Sequence, residues 1–289
     1  MKFELIDKKE FKFESMNYPC FSIPDFDLKD EQIWAVLSGS RSRRNLIVLD
    51  DSLEEITLNT DDIDKIPNAY SVHIIKDRLM VGYRGDPLVF KPIVCRYDMS
   101  GRLIDDTPRI NAHRIKHSGD NVYFVHKYPQ CSVLNNDLFV FMSGKPDIAM
   151  TDVHDIASHG DRVYVLKKSD ADMVCQEPRY KYALADVTLD KENWVDLKDR
   201  FEDSSSSLAV NGPGNVLMST ENIPDRRLQW VSLFSPDGEH IDKGQLDMSI
   251  DHMMFDSQQR LVVSGKSFPV SLDNREHTHM IARYEVKYD

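Results

Sequence analysis

The chain has 289 residues, a hydrophobic fraction of 41%, a charged fraction of 29% and a formal net charge of −12. This length accommodates one large domain or two small ones with a buried core. The longest apolar runs are strand-sized, which excludes a membrane-spanning helix, and the charges within residues 1–9 argue against a secretion signal. The acidic balance argues against nucleic acid as a partner, because phosphate binding needs clustered Lys and Arg, and it permits a basic partner protein.

The four cysteines, Cys20, Cys95, Cys131 and Cys175, lie far apart and form no Cys-x-x-Cys pair. This spacing argues against a zinc ribbon and against a disulfide framework. Four reduced thiols are typical of a cytoplasmic protein, so we expect a cytoplasmic location.

A recurring pair of short strands organises the chain. Its clearest copy is Val153–Leu166, in which alternating apolar residues flank a Gly-Asp turn. Further copies lie at Phe26–Val36, Val72–Val81, Ala112–Val125, Ser207–Met218 and Asp251–Val263. Successive copies are 41 to 53 residues apart, and a period in the forties with several strands per unit is typical of a β-propeller.

Each unit also has a third strand, and four units have a clear outer strand, such as Glu55–Leu58 and Trp194–Leu197. We therefore predict an all-β, six-bladed propeller with four-stranded blades as a single domain over residues 1–289. Six repeats occupy residues 24–289, and residues 1–23 form a lead-in. The last repeat ends after its third strand, so Lys2–Ile6 or Phe11–Phe13 is expected to supply its outer strand and close the ring of blades.

The repeated unit has a strand, a Gly-Asp or Gly-Asn turn, a second strand such as Val-Tyr-Val, and a later Asp-Gly turn. This pattern resembles the six-bladed propellers of the NHL-repeat, gluconolactonase-like and streptogramin-lyase-like group. The resemblance covers nearly the whole chain and implies an architecture rather than a chemistry. The early Glu-Gly-Pro-x-Trp of the metal-binding members is absent, and residues 23–29 stand in that place.

The loops between second and third strands vary most, and variable loops on a rigid scaffold commonly bind ligands. Arg41, Arg43 and Arg44 form a basic group that could bind an anion. The alternative is that they form the solvated tip of a hairpin and bind nothing. Tyr180 and Phe268 are residue types that anchor protein interfaces, although packing of the loops on their own scaffold explains them equally well.

Three histidines, His113, His154 and His252, each lie nine residues before the first apolar residue of a second strand. In one shared register they could converge at the central channel and hold a divalent metal, or act as acid and base with Asp155 and Asp251 beside them. The alternative is structural, with each histidine bonded to a neighbouring blade. A shift of one residue would move them from the channel to the blade interface.

Carboxylates recur in and near the links between blades, and if these links share one face, that face is strongly negative and suits cations or a basic protein surface. Turn chemistry and solubility are the other explanation. The candidates are Asp61, Asp62, Asp64, Asp106 and Asp152.

Together these features predict a non-catalytic cytoplasmic protein that holds a protein partner against a loop-rich acidic face. A basic partner, and inhibition of that partner, are the more concrete forms of this prediction. No cofactor is expected. The alternative is a metal-dependent hydrolase or lyase with one divalent ion and His154, His252, Asp155 and Asp251 at the channel. A small-ligand-binding propeller is a third possibility.

Overall fold

The structure is a computed structural model of the chain. It describes residues 1–11, 22–38, 44–66, 68–75, 77–83, 93–108, 112–118, 121–127, 136–142, 145–150, 153–160, 162–174, 177–186, 194–197, 205–220, 229–267 and 278–288. Within these ranges, no helix has the length and hydropathy needed to cross a membrane.

The first half of the chain begins with a long strand, followed by three sets of four strands. The N-terminal strand is β1 (Lys2–Phe11). The first set is β2 (Phe26–Lys29), β3 (Gln32–Val36), β4 (Leu46–Leu49) and β5 (Glu55–Ile56). A short 3-10 helix, Ile63–Lys65, precedes β6 (Ala69–Ile75), β7 (Arg78–Tyr83), β8 (Ile93–Asp98) and β9 (Leu103–Pro108). The third set is β10 (Ala112–Ser118), β11 (Asn121–Lys127), β12 (Asn136–Met142) and β13 (Lys145–Met150).

The second half repeats this arrangement. The fourth set is β14 (Val153–His159), β15 (Arg162–Val174), β16 (Glu177–Asp186) and β17 (Val195–Asp196). The fifth is β18 (Ser205–Val210), β19 (Val216–Thr220), β20 (Gln229–Phe234) and β21 (His240–Leu246). The last strands are β22 (Ser249–Phe255), β23 (Leu261–Ser267) and β24 (Thr278–Lys287).

Across the described ranges these strands form six four-stranded antiparallel sheets. Five contain four consecutive strands, and the sixth has the order β1-β24-β23-β22. The pairing of β1 with β24 runs from Lys2 opposite Lys287 to Phe11 opposite His279. The predicted all-β propeller with four-stranded antiparallel blades is confirmed, and the N-terminal strand lies at the outer edge of the last sheet.

The hydrophobic core lies between neighbouring sheets. One buried cluster joins Trp34 and Val48 of the first sheet to Val72 and Val81 of the second. Equivalent clusters join the fourth sheet to the fifth and the fifth to the sixth. Since each sheet buries apolar side chains on both of its faces, the strands are apolar at most positions rather than at alternate ones. This packing fixes the inner strands around a central channel.

The first and last sheets pack directly on each other. Val262 and Ile281 of the last sheet belong to the same buried cluster as Phe26 and Ala35 of the first. The hydroxyl of Ser264 also donates to the backbone oxygen of Ile23 over 3.0 Å. The blades therefore close into a ring, and β1 covers the sheet edge that β24 would otherwise expose.

Successive antiparallel strands place all first-to-second and third-to-fourth turns at the same end of the sheets. We call this end the turn face. Its described turn residues are 30–31, 50–54, 77, 98–102, 160, 211–215, 235–239 and 256–260.

Gly101 is expected to be one of the least replaceable residues of the turn face. Its φ is +84°, and a Cβ atom there would overlap the backbone oxygen of Asn59. We predict that Gly101→Ala lowers the free energy of unfolding by about 2 to 4 kcal/mol, through the left-handed backbone and the backbone clash together. Urea unfolding followed by tryptophan fluorescence measures this.

Gly160→Ala is the matched control for Gly101→Ala. Gly160 also has a positive φ, +57°, but a Cβ atom there would meet open space. Its loss should be only about 1 kcal/mol, which is the cost of the backbone conformation alone. Equal losses for the two variants would contradict the role assigned to the contact between Gly101 and Asn59.

Candidate binding site at the central channel

Five of the inner strands carry a bulge at an equivalent point. The pairing with the second strand skips Tyr70 in β6, His113 in β10, His154 in β14, Ser206 in β18 and Asp251 in β22. A bulged residue has no partner of its own across the ladder, and it changes the side to which the following residues point. The residues directly after the bulges are Ser71, Arg114, Asp155, Ser207 and His252. Asp25 is the equivalent residue of the first sheet, because it precedes the Leu28–Ile33 pair by as many residues as Ser71 precedes the Ile74–Leu79 pair.

The prediction that three histidines share one register is wrong. His113 and His154 occupy the bulge, whereas His252 is the residue after it. The cause is the turn at residues 256–260, where Asp256 N–H bonds to the oxygen of Arg260 and Gln259 takes a φ of +61°. This turn is one residue longer than the turn of the fourth sheet, so counting back from the second strand misplaces His252 by one position.

At three of these positions the side chain links its blade to the next one along the chain. Asp25 Oδ2 accepts the backbone N–H of Val72 over 3.1 Å, and Asp155 Oδ2 accepts that of Leu208 over 3.0 Å. The hydroxyl oxygen of Ser207 likewise accepts the N–H of Met253 over 3.1 Å. We call Asp25, Asp155 and Ser207 the clasp residues, since each satisfies a backbone donor of the neighbouring inner strand.

Asp155 and His252 both make contacts between blades. Asp155 is 4% exposed, and both of its oxygens accept backbone N–H groups, one of them from the fifth blade. His252 is fully buried between the first and fifth sheets, with Nδ1 3.4 Å from the hydroxyl of Ser207. Asp251, also predicted to assist, is the bulged residue of β22 and is half-buried.

A buried group of one carboxylate and two imidazoles lies where the ring closes. The side chain of Asp25 is fully buried, with Oδ2 3.3 Å from His73 Nε2 and Oδ1 3.4 Å from His252 Nε2. The three residues come from the second, last and first sheets, so this contact crosses both junctions of the first blade. His73 is not among the candidate residues predicted from the sequence. The available signal was polar residues at alternate positions of otherwise apolar strands, at Asp25 and Asp27 and at Ser71 and His73.

A cavity of about 250 Å³ occupies the end of the central channel at the turn face. Its wall combines Asp27, His73 and Lys116 with the apolar side chains of Ile74 and Met254. All five come from inner strands, which line the channel and run toward the turn face. The cavity therefore has charged, polar and apolar walls, as ligand sites commonly do.

Most cations beside the cavity already have carboxylate partners. Arg260 contacts Asp256 over 2.6 Å and Asp51 over 2.7 Å, and its hydrogen bond to Asp51 lowers the pKa of that carboxyl group. Lys29 pairs with Asp77 at the rim. Both pairs lie at the turn face, where they connect turns of neighbouring blades.

The basic and acidic groups predicted from the sequence are used within the fold where the structure describes them. Arg44 pairs with Glu55 and donates to the oxygen of Leu46 over 3.2 Å. Asp64 Oδ1 accepts the N–H of Asn45 over 2.5 Å, and its other oxygen accepts the hydroxyl of Thr60. These contacts fix the link between the first two blades.

Asp62 has a similar role in that link. Its carboxylate accepts hydrogen bonds from the ammonium of Lys65 and the backbone N–H of Leu103, and both lower its pKa. Asp61 is exposed beside it. Turn chemistry thus accounts for Asp62 and Asp64, which weakens the prediction of an acidic binding face built on the links.

The other predicted site residues are not tested. Arg41, Arg43, Asp152 and Phe268 lie outside the described residues. Four more are placed in strands without a description of their side chains: Asp106 in β9, His113 in β10, His154 in β14 and Tyr180 in β16. Among the side chains that are described, no three or more of His, Cys, Asp and Glu could hold a metal ion together. A metal site that includes His113 or His154 therefore stays a prediction.

No known protein family matches the chain, and no curated protein does. Several solved structures match most of this chain. A member of the duf4221 family from Bacteroides vulgatus is 9% identical with a TM-score of 0.56, covering 100% of this chain and 99% of that one. A glucose dehydrogenase is 6% identical with a TM-score of 0.59, covering 100% of both chains. The propeller domain of the Trilobed protease from Pyrococcus furiosus is 10% identical with a TM-score of 0.52, covering 91% and 94%.

At these identities the likeness shows the fold alone. It confirms the predicted resemblance to β-propeller proteins, and the narrower resemblance to the NHL-repeat group stays a prediction. Propellers host unrelated functions, so the likeness carries no ligand or activity. The function has to be argued from the site.

Proposed function

We propose that this protein is a non-catalytic binding protein, whose six-bladed ring is a rigid platform for a basic partner protein held against the turn face. The observation that supports this proposal is a cavity at the centre of that face with exposed carboxylates around it. Rigid scaffolds bind through surface segments of this kind, and charge complementarity gives specificity and fast association.

The described part of the turn face exposes more carboxylates than cations. The exposed carboxylates are Asp30, Glu31, Asp51, Glu54, Asp77, Asp237 and Glu239. The exposed arginines described on the same face are Arg78, Arg102 and Arg162. Asp30 and Glu31 lie directly at the cavity, where low-dielectric walls strengthen the field that a basic side chain would meet.

This proposal moves the acidic binding surface predicted from the sequence away from the links between blades and onto the turns around the cavity. The links contribute Asp62 and Asp64, which are occupied by hydrogen bonds within the fold. The carboxylates of the turns, in contrast, are exposed to solvent on the turn face. A cytoplasmic location and inhibition of the partner are more specific forms of the proposal, and their support is the net charge and the residue content of the sequence.

Neutralising two carboxylates at the cavity is expected to weaken binding of a basic peptide. We predict that Asp30→Asn together with Glu31→Gln weakens binding of a peptide of ten lysines about threefold to tenfold, because both charges lie where the peptide would cross the cavity. Isothermal titration calorimetry at low ionic strength measures the affinity. Added salt should reduce it further by screening the exposed charges.

The control removes the same charge from another surface. Glu4 and Glu10 are exposed on β1, the outer strand of the last sheet, and neither lines the cavity. Glu4→Gln together with Glu10→Gln should change the affinity by less than about twofold. Equal weakening by both pairs of substitutions would mean that the peptide senses only net charge, and the turn face would lose its assigned role.

A further inference from the structure

Lys116 differs from the other described cations at the channel cavity. Its side chain is 4% exposed and forms part of the cavity wall. Among the described residues, its ammonium has one polar contact, with the thioether sulfur of Met254 over 3.7 Å. A thioether is a weak acceptor and does not balance a charge.

Within the described chain, four carboxylates line the cavity: Asp30 and Glu31 are exposed to solvent at its mouth, whereas Asp27 and Asp256 accept hydrogen bonds from other groups. Asp27 Oδ2 accepts the backbone N–H of Ile74 over 2.7 Å, and Oδ1 accepts that of Leu28. Asp256 accepts the Nε–H of Arg260 over 2.6 Å and two backbone N–H groups of its own turn. A buried cation without a counter-ion is costly, so an anion in the cavity would stabilise the arrangement.

We propose that the channel cavity binds a small monocarboxylate, with the ammonium of Lys116 as its counter-ion. The apolar side chains of Ile74, Met254 and Val262 line the space for the carbon skeleton. Lys116 is the one cation of the described cavity wall without a carboxylate partner, and acidic residues surround it. The cavity therefore favours a ligand with one negative charge over a ligand with two. The volume of about 250 Å³ has room for roughly eight water molecules, and hence for an acid with about that number of non-hydrogen atoms.

The carboxylate has two possible sources, a free organic acid or the C-terminus of a peptide, and suitable probes separate them. Butyrate represents the free acid, and butyramide has nearly the same shape without the charge. Acetyl-trialanine with a free C-terminus represents the peptide, and its amide is the neutral control. Succinate tests the preference for one negative charge over two. Calorimetry and thermal unfolding measure the binding of each probe.

Butyrate is expected to bind the wild-type protein and raise its Tm, whereas butyramide is not, and succinate should bind more weakly than butyrate. Lys116→Met should weaken butyrate binding at least about tenfold, because a charge-assisted hydrogen bond is lost. The same substitution should raise the Tm of the ligand-free protein, because it removes an uncompensated buried charge. Lys29→Met, at the rim of the same cavity, should change butyrate affinity by less than about twofold, since Lys29 is paired with Asp77.

Failure of butyrate to bind, or equal affinity in Lys116→Met, would overturn the proposal. If Lys116→Met does not fold, butyrate must still shift the methyl NMR signals of Met254 and Ile74 in the wild-type protein, and unshifted signals would be equally decisive. Tighter binding of acetyl-trialanine than of butyrate would identify a peptide terminus as the source, and the reverse order would identify a free acid. None of these results depends on the binding of the lysine peptide.

Discussion

Replacing Arg283 with methionine is expected to lower the free energy of unfolding by about 3 kcal/mol, because it removes a buried cation whose hydrogen bonds connect the last blade to the first. Arg283 is 1% exposed. Its guanidinium donates to the backbone oxygens of Asp50 and Asp51, over 3.1 and 2.6 Å, and to the carboxylate of Asp51 over 2.9 Å. These contacts hold a turn of the first blade against β24.

Urea unfolding measures this loss, and Lys287→Met is the matched control. Lys287 lies four residues further along β24, where it is exposed and pairs with Glu4 and Glu285. Exposed ion pairs contribute little, so its loss should be within about 0.5 kcal/mol. A comparably small loss for Arg283→Met would mean that the apolar cluster of Phe26, Ala35, Val262 and Ile281 holds the first and last blades together without help from Arg283.

Replacing Asp25 with alanine is expected to be at least as damaging, with a loss of about 3 to 5 kcal/mol. The substitution leaves the backbone N–H of Val72 without its acceptor and removes the carboxylate between His73 and His252. All of these groups are buried, so water cannot replace the lost partner without rearrangement. Denaturant unfolding, followed by tryptophan fluorescence and by circular dichroism, gives the loss and tests whether the ring still unfolds as one unit.

The control for Asp25→Ala is Asp77→Ala. Asp77 is exposed, and its partner Lys29 remains in contact with solvent, so the expected loss is within about 1 kcal/mol. A loss below about 1 kcal/mol for Asp25→Ala would show that the group of one carboxylate and two imidazoles does not stabilise the closure.

The repeat predicted the fold because every blade needs the same local features. Alternating apolar residues with a Gly-Asp turn specify a hairpin, and a period in the forties leaves room for two more strands. The pairing of Val163 with Ser158 and of Leu79 with Ile74 follows the predicted alignment. The N-terminal strand was predictable for another reason, since the last repeat lacked an outer strand and an exposed edge is unfavourable.

The site was harder to predict because it depends on single-residue irregularities. A bulge at His154 and a longer turn after Phe255 each shift the facing of a strand by one residue, and a pattern with a period of two cannot detect either. The group of Asp25, His73 and His252 also joins three strands that are distant in sequence. The burial of Lys116 follows from channel geometry and has no local signature.

The acidic residues illustrate a different limit. Asp61, Asp62 and Asp64 were recognisable as a charged link, and their charges are the same whether they face a partner or a backbone N–H. Asp64 accepts the backbone N–H of Asn45, and Asp62 accepts that of Leu103, so these two carboxylates stabilise the fold. In the sequence, turn carboxylates such as Asp30 and Glu31 are indistinguishable from those of any hairpin turn. Only the ring brings them together around one cavity.

The most direct test of the proposed binding face is an NMR titration of the deuterated, ¹⁵N-labelled protein with the peptide of ten lysines. We predict that the largest amide shifts lie in the turns at residues 30–31, 77 and 256–260, around the mouth of the cavity, and that they weaken with added salt. Shifts concentrated in the link around Asp61, or spread evenly over the outer strands, would contradict the account and place the partner elsewhere on the protein.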